Sequence, residues 1–334
     1  MSKQTNTRTK WTKKKIWMTV LSCFLTVMSL VFIGGGLWLD YYFGGLNTTE
    51  LTKDHESLGI SADAKQDEKI TNIALFGIDS RSSANRGRSD AIIILSVDER
   101  HGKIKMISVL RDSSIQIEGR GSDKIAHAYA YGQAPLAIKT LNQNFNLNIK
   151  EYVSVNFMSL SAVIDKLGGL ELDITEEEKN EINRLILKPS SGYAALGLNQ
   201  TLVQSSGKVK LNGVQAMTYA RIRKIDSDAE RASRQQVVLN KLFEKARSLK
   251  VTEYPGLIRT ILPLLETSLS YSDIIGLSGI LAQEGLAMEQ MTVPDKSIEG
   301  INLTSGYDEN GRWVWKFDRT VAAQAINKFI YEED

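Results

Sequence analysis

Arginine and aspartate gather in two short stretches of this chain at a density that solubility does not require. The first is FGIDSRSSANRGRSDAIIILSVD, from Phe76 to Asp98, followed by VLRD at Val109–Asp112. The second is YARIRKIDSDAERASRQQ, from Tyr219 to Gln236. Together they hold Asp79, Arg81, Arg86, Arg88, Asp90, Arg111, Asp112, Arg221, Arg223, Asp228, Arg231 and Arg234. Arginine outnumbers lysine in both. A guanidinium presents a planar fork of donors that grips phosphate oxygens bidentately, where an ammonium offers a point charge. Aspartates beside a phosphate are useful only when a divalent cation stands between the like charges. The pattern predicts a metal-assisted phosphate or pyrophosphate site.

The charge balance narrows the anion. The 334 residues carry 41 basic and 39 acidic side chains. Six of the basic ones, Lys3, Arg8, Lys10, Lys13, Lys14 and Lys15, lie in the first fifteen residues, which contain no acid. The rest of the chain has 35 basic residues against 39 acidic ones. A broadly cationic surface is excluded, and with it the usual footprint of a nucleic-acid binder. The arginines must be gathered locally, for a specific anion.

Ile16–Leu39, IWMTVLSCFLTVMSLVFIGGGLWL, is uncharged. About 20 apolar residues span a bilayer. Trp17 and Trp38 stand near its ends, where interfacial aromatics belong, and the basic residues precede it. The positive-inside rule then places the N-terminus in the cytoplasm. A cleaved signal peptide has a shorter apolar core, about 7–15 residues, and a small-residue cleavage site. Leu37-Trp38-Leu39-Asp40-Tyr41-Tyr42 is a poor one. The expected organisation is a basic cytoplasmic tail (1–15), one transmembrane anchor (16–39), a polar stalk (40–69) and an extracytoplasmic catalytic domain (70–334). The single cysteine, Cys23, lies within the anchor, so the exterior domain forms no disulfide.

The patterning inside the domain alternates strands and helices. Asn72–Gly77, Ala91–Asp98 and Lys103–Leu110 read as strands, the last two joined as a hairpin at His101-Gly102. Gln133–Phe145 reads as a helix whose start Pro135 confines. Glu151–Val155 is a strand, Phe157–Leu167 a helix closed by Gly168-Gly169, and Leu170–Ile174 a returning strand. Leu211–Arg221, Asp228–Leu249 and Ser272–Leu286 read as helices, Asp228 and Ser272 standing at cap positions. Trp313–Phe317 is a strand, and Asp318 caps a last helix through Ile330. The implied class is α/β, a mixed sheet layered between helices.

These elements put chemistry at one place. Asp79 follows the first strand, and ligands bind beyond the carboxyl ends of strands in such sheets. Asp79 and Asp90 flank the polar loop Ser80–Ser89, and Arg88-Ser89-Asp90 abuts a hydrophobic strand. Arg111-Asp112 ends the adjacent strand, on the same edge if the hairpin forms. Arg221 and Arg223, two residues apart, share one face of an extended segment. The competing reading is a helix C-terminus carrying arginines that suit its dipole. That reading leaves Arg231, Arg234, Gln235 and Gln236 unexplained. His127 and Tyr129, in KIAHAYAYG at Lys124–Gly132, read as packing or pocket lining. With three histidines and no partner at ligand spacing, a zinc site has no support. G-x-S-x-G, P-loop and G-x-G-x-x-G motifs are missing.

Seven runs together resemble the LytR-CpsA-Psr family. They are FGIDSR (76–81), RSDAIIILSVD (88–98), ISVLRDSSIQI (107–117), KIAHAYAYG (124–132), VNFMSLSAVIDKLGGLELDI (155–174), LNGVQAMTYARIR (211–223) and RASRQQ (231–236). They cover roughly residues 70–250. Leu110 stands where the family commonly has proline, and Gln133 where a second glycine is common. The resemblance implies a membrane-anchored exterior phosphotransferase. Such an enzyme moves an anionic glycopolymer, a teichoic acid or polysaccharide, from a polyprenyl diphosphate carrier to peptidoglycan through a phosphodiester bond, with Mg2+. By resemblance Asp79 and Asp90 hold the metal. Arg88, Arg111, Arg221 and Arg223 grip the pyrophosphate, with Arg81, Arg231, Arg234, Gln235 and Gln236 as further contacts. The acceptor hydroxyl must lose a proton, and Asp79 or Asp112 is the candidate base. The competing functions are a polyprenyl pyrophosphatase or phosphatase that uses water as acceptor, and a non-catalytic envelope regulator. No nucleic-acid partner is expected.

Overall fold

The computed structural model describes residues 47–79, 87–189, 193, 197–222, 228–248, 254–281 and 286–332. The chain runs β1 (Asn47–Thr48), β2 (Ile70–Ile78), β3 (Ser89–Asp98), β4 (Lys103–Val109), β5 (Ser114–Ile117), β6 (Gly121–Lys124), α1 (Ile125–Phe145), β7 (Glu151–Asn156), α2 (Phe157–Lys166), β8 (Leu170–Ile174), α3 (Glu176–Leu187), β9 (Gly207–Leu211) and α4 (Gly213–Tyr219). It continues with α5 (Asp228–Arg247), α6 (Tyr254–Ile261), β10 (Glu266–Thr267), α7 (Tyr271–Leu281), β11 (Ala287–Val293), β12 (Thr304–Tyr307), β13 (Trp313–Lys316) and α8 (Arg319–Tyr331). One mixed sheet has the order β1-β10-β7-β2-β3-β4-β11. β2 and β3 pair antiparallel, as do β3 and β4, while β2–β7 and β4–β11 are parallel.

Side chains alternate across a strand, so a sheet buried on both faces needs apolar residues at consecutive positions. β3 supplies them. Ile92 and Ile94 enter one core with α1 and α8, while Ile93, Leu95 and Val97 enter another beneath Leu239 of α5 and Ile274, Leu277 and Ile280 of α7. The sheet thus lies between helices, as expected. A third apolar cluster stands apart from the sheet. It unites Ile164 of α2, the β8–β9 hairpin, α3, α4 and Val238 of α5.

Several elements depart from expectation. α1 starts at Ile125, eight residues before Gln133, and takes in KIAHAYAYG. Its geometry breaks at Gly132 and Gln133, where Gln133 has φ 54° and ψ −152°. Pro135 follows in the first turn after the break, where its missing N–H leaves no bond unmade. Leu211 ends a strand, and the helix after it is only Gly213–Tyr219. α7 is capped by Ser270, not Ser272: the Asp273 N–H donates to Ser270 Oγ at 3.2 Å, and the Asp273 carboxylate accepts the Ser270 N–H at 2.8 Å. Part of the stretch read as stalk contributes Leu58, Ile60 and Ala64 to the core. The apolar run Ile16–Leu39 lies outside the described residues. Among the described residues no helix is long and apolar enough to cross a membrane.

The sheet edge where β3 ends and β4 begins is fastened by a buried ion pair. Lys105 Nζ, fully buried, lies 3.1 Å from Asp98, 2.9 Å from Glu332 and 2.7 Å from the Ile330 carbonyl. This ties α8 to the sheet. Burial opposes the Asp98 charge, but bonds from His101 and Lys105 outweigh it and hold the carboxyl below its ordinary 3.8. A carboxyl depressed in the folded state stabilises fully above its unfolded value. That contribution disappears as pH falls through the folded value. Asp98→Asn removes one of the two carboxylates beside Lys105, leaving Glu332, and is expected to cost about 3 kcal/mol at pH 7. It should also flatten the loss of stability below about pH 4. Denaturant unfolding across pH 2–8 measures both, and a variant as stable as the parent at pH 7 would contradict the assignment.

Candidate functional site

The carboxyl ends of β2 and β4 and the amino end of β3 share one edge of the sheet, the edge opposite Lys105. Ile93 pairs with Ser108 in the β3–β4 register, which continues to place Arg111 across from Asp90. The prediction that Arg111-Asp112 reaches this edge therefore holds through the hairpin. Asp79 leaves β2 just past a register shift at Gly77–Ile78, and its N–H donates to the Arg88 carbonyl at 3.0 Å. Gly87 packs against that turn. A Cβ there would stand 2.7 Å from the Asp79 carbonyl oxygen, so only glycine allows the approach.

Asp90 is the hub. Arg111 Nη1 donates to its Oδ1, and Arg231 Nη2 lies 3.0 Å from its Oδ2. Arg231 is 3% exposed and comes from the first turns of α5, so a helix and a strand end converge on one carboxylate. The Arg111 Nε lies 3.1 Å from Asp112 Oδ2, and Lys124 Nζ lies 2.5 Å from Asp112 Oδ1. Burial opposes ionisation of Asp112. The Lys124 bond and the Arg111 charge outweigh it and hold the carboxyl below the usual range.

The remaining predicted residues divide by environment. Arg221 follows α4 at the surface, its Nη2 3.4 Å from Asp79. Arg88 is exposed beside Asp79. Arg234 is 5% exposed and turned toward scaffold, 3.3 Å from the Ile222 carbonyl, 3.5 Å from Glu178 and 5.9 Å from the Tyr219 ring centroid. Gln236 Nε2 donates to Ser108 Oγ at 2.9 Å, joining α5 to β4. Gln235 is half-buried on the same helix. Arg81, Arg86 and Arg223 lie outside the described residues. Asp79, Asp90, Arg88, Arg111, Arg221 and Arg231 thus collect around one sheet edge.

Tyr129 is core, 1% exposed and 5.3 Å from the Phe76 ring, and burial pushes its hydroxyl up to about 12. His127 instead bonds Asp123 through Nδ1 at 2.9 Å. Asp123 also accepts from Tyr131 at 2.8 Å and pairs with Arg312 at 2.6 Å. The sequence reading overlooked Lys124 and Asp123. Both belong to strand β6, and Lys124 is itself the first residue of the KIAHAYAYG run.

The carboxylates at this edge, Asp79 and Asp90, could offer oxygen ligands only, those of Asp90 being engaged by Arg111 and Arg231. This suits a hard cation such as Mg2+, which is held by one or two carboxylates plus water and substrate phosphate. The guanidinium groups around them supply forks to a diphosphate.

The chain matches the model of the LytR_cpsA_psr family over residues 42–329. It is 30% identical over 334 residues to the polyisoprenyl-teichoic acid–peptidoglycan teichoic acid transferase TagU of Oceanobacillus iheyensis, covering 95% of this chain and 93% of the relative. It is 28% identical over 328 residues to the corresponding transferase TagT of Bacillus subtilis, covering 95% and 94%. Among solved structures it is similar to TagT bound to LIIa-WTA, with a TM-score of 0.61, 26% identity and coverage of 79% of this chain and 91% of that one.

Asp90 carries both structure and site, and substitution should separate the two. Asp90→Ala leaves Arg231 buried beside Arg111 without their shared counter-charge, and the expected loss is about 3 kcal/mol. Asp90→Ala/Arg231→Met removes the stranded charge and should recover most of that stability without recovering turnover. Thermal melting alongside transfer assays checks this. A single variant that melts with the parent would remove Asp90 from the centre of the network.

Proposed function

The chain belongs to the LytR_cpsA_psr family, and from that premise we propose that it transfers an anionic glycopolymer from a polyprenyl diphosphate to peptidoglycan. Its relatives are polyisoprenyl-teichoic acid–peptidoglycan teichoic acid transferases. The observation that carries the reading is the Asp90 carboxylate held between Arg111 and Arg231 at the strand edge. Guanidinium groups held this way stand ready to exchange a carboxylate partner for phosphate oxygens. The run Ile16–Leu39 anchors the chain and keeps this edge on the outer side of the membrane, where the lipid carrier and the wall are both in reach.

The chemistry follows from charge. Phosphoryl transfer depends on positioning and charge neutralisation more than on covalent help. The acceptor hydroxyl oxygen attacks the phosphorus that bears the glycopolymer. The bond from that phosphorus to the bridging oxygen breaks, and polyprenyl monophosphate leaves. Arg111, Arg221 and Arg231 take up the negative charge that develops on the phosphate oxygens. Asp79 and Asp90 would hold Mg2+, which supplies further neutralisation of the diphosphate. Of the two candidate bases, Asp112 has its oxygens engaged by Lys124 and Arg111 and a carboxyl held low, which weakens it as a proton acceptor. Asp79 is 40% exposed and 3.4 Å from Arg221, so of the two it is the carboxylate more open to an acceptor hydroxyl.

The test separates a phosphate fork from general charge. Arg221→Lys keeps the cation and, at a site 31% exposed, should leave the melting temperature unchanged. Transfer of polyprenyl-diphosphate-linked glycan to peptidoglycan should fall about 10²-fold, the size of a lost transition-state donor. Arg223→Lys is expected to behave alike. Lysine variants with more than about half the parent rate would sink the clamp, since a dipole or field effect survives that change.

A further inference from the structure

The β12–β13 hairpin carries a row of aromatic rings beside the site that the chemistry above does not use. Tyr307 pairs with Trp313 and Ser305 with Trp315. Val314, between the two tryptophans, is fully buried, so it faces the body of the protein. Strand alternation then puts Trp313 and Trp315 on the opposite face, and Tyr307, directly across from Trp313, joins them. Tyr307 is 70% exposed, and the two indoles are half-buried with ring centroids 4.8 Å apart. An exposed row of this kind marks a surface that something covers.

The hairpin is cross-linked within itself and joined to the reactive edge. Its turn is closed by Asp308, which accepts the Arg312 N–H at 2.8 Å and pairs with the Arg312 guanidinium at 2.7 Å. Arg312 reaches across to Asp123 at 2.6 Å. The Trp315 backbone N–H donates to the Asp112 carbonyl at 3.0 Å, and the Asp112 side chain is bonded to Arg111, which holds Asp90. Tyr131, 40% exposed, joins from α1 through its bond to Asp123. The hairpin sets Asp308 and Glu309 against Arg312 and Lys316, so it has no net charge, and the Arg120 guanidinium stacks over the Tyr131 ring at 4.5 Å. A polyanionic donor chain would seek cations here. An uncharged sugar chain seeks flat rings, against which the apolar C–H faces of pyranoses stack. The two indoles meet edge to face, their planes 74° apart, and Tyr307 lies directly across from Trp313.

We propose that Tyr307, Trp313 and Trp315 form the acceptor subsite, a platform on which the N-acetylated glycan backbone of peptidoglycan lies while its hydroxyl reaches the phosphorus. This rests on the transferase reading and adds where the acceptor binds. The acceptor must lie within a sugar's length of the arginines, and the bond from Trp315 to Asp112 provides that continuity.

The test uses the full-length chain in detergent with a polyprenyl-diphosphate-linked glycan as donor and soluble peptidoglycan glycan strands as acceptor. Tyr307→Ala, at an exposed position, should raise the KM for acceptor at least fivefold, and Tyr307→Ala/Trp313→Ala at least tenfold. Tyr307→Phe should behave as the parent, because stacking needs the ring and not the hydroxyl. Donor KM and acceptor-free cleavage of donor by water should stay within twofold. If Trp313→Ala unfolds in the accompanying melt, Tyr307→Ala alone decides. An unchanged acceptor KM in Tyr307→Ala, or a raised donor KM in its place, overturns the subsite while leaving the transferase intact. A parent protein that yields no peptidoglycan product overturns the transferase reading and the subsite with it.

Discussion

One carboxylate organises the reactive edge. Asp90 accepts from Arg111, which ends β4, and from Arg231, which opens α5. Without it Arg231, 3% exposed, would lose its Asp90 counter-charge in a partly dry site, and Arg111 would keep only Asp112 of its two carboxylates. The cost of stranding such charges is several kcal/mol. The pairing therefore fixes how α5 docks against the sheet, and it holds the arginines in place before any ligand arrives. Donors held this way need only exchange the carboxylate for phosphate oxygens, with no larger movement, when charge develops on a substrate. From Arg111 the network runs on to Asp112 and Lys124, and through the Asp112 carbonyl to the β12–β13 hairpin.

The opposite edge of the same strands is built from similar groups for a different end. Asp98, Lys105 and Glu332 are also an acid–base cluster, but Lys105 is fully buried and bonded to the Ile330 carbonyl at 2.7 Å. Its charge is consumed in holding α8 on the sheet. Rigid strands thus join a stabilising edge to a reactive one, and the scaffold holds the site without lending it its own fasteners.

The sheet and the site differ in how far the sequence revealed them. Strands β2, β3 and β4 were legible because runs such as AIIILSVD are long, β-branched and apolar at consecutive positions. The convergence of Asp79, Asp90 and Arg111 followed from those strands and the hairpin at Gly102. Helix α3 was overlooked although Thr175 and Glu178 form a full capping box, each side chain bonding the other's backbone N–H, a signal readable from Thr-Glu-Glu-Glu. The stretch before Ile70 looked like a stalk because its apolar residues are few. Leu58 and Ile60 are nonetheless buried, held by contacts with elements distant in sequence that local periodicity does not register. The arginines of α5 show the same limit. Arg231 and Arg234 are one helical turn apart and alike in sequence, yet one meets Asp90 and the other meets Glu178 and Ile222. That division depends on what packs against each face of α5. The aromatic face of the β12–β13 hairpin was hidden for a related reason, since Trp313–Phe317 reads as a strand but its partner Thr304–Tyr307 carries no strand pattern of its own.

The central claim is that the Asp90–Arg111–Arg231 edge passes a phosphoryl group to a sugar hydroxyl and not to water. The fate of solvent oxygen tests it most directly. The full-length protein turns over a polyprenyl-diphosphate-linked glycopolymer in 18O-labelled water with peptidoglycan present, and the phosphate of the product is analysed by mass spectrometry. The account predicts a phosphodiester between glycopolymer and peptidoglycan whose phosphate carries no solvent label, with polyprenyl monophosphate released in equal amount. A labelled phosphomonoester on free glycopolymer, with no wall-linked product, would contradict it and make the protein a hydrolase.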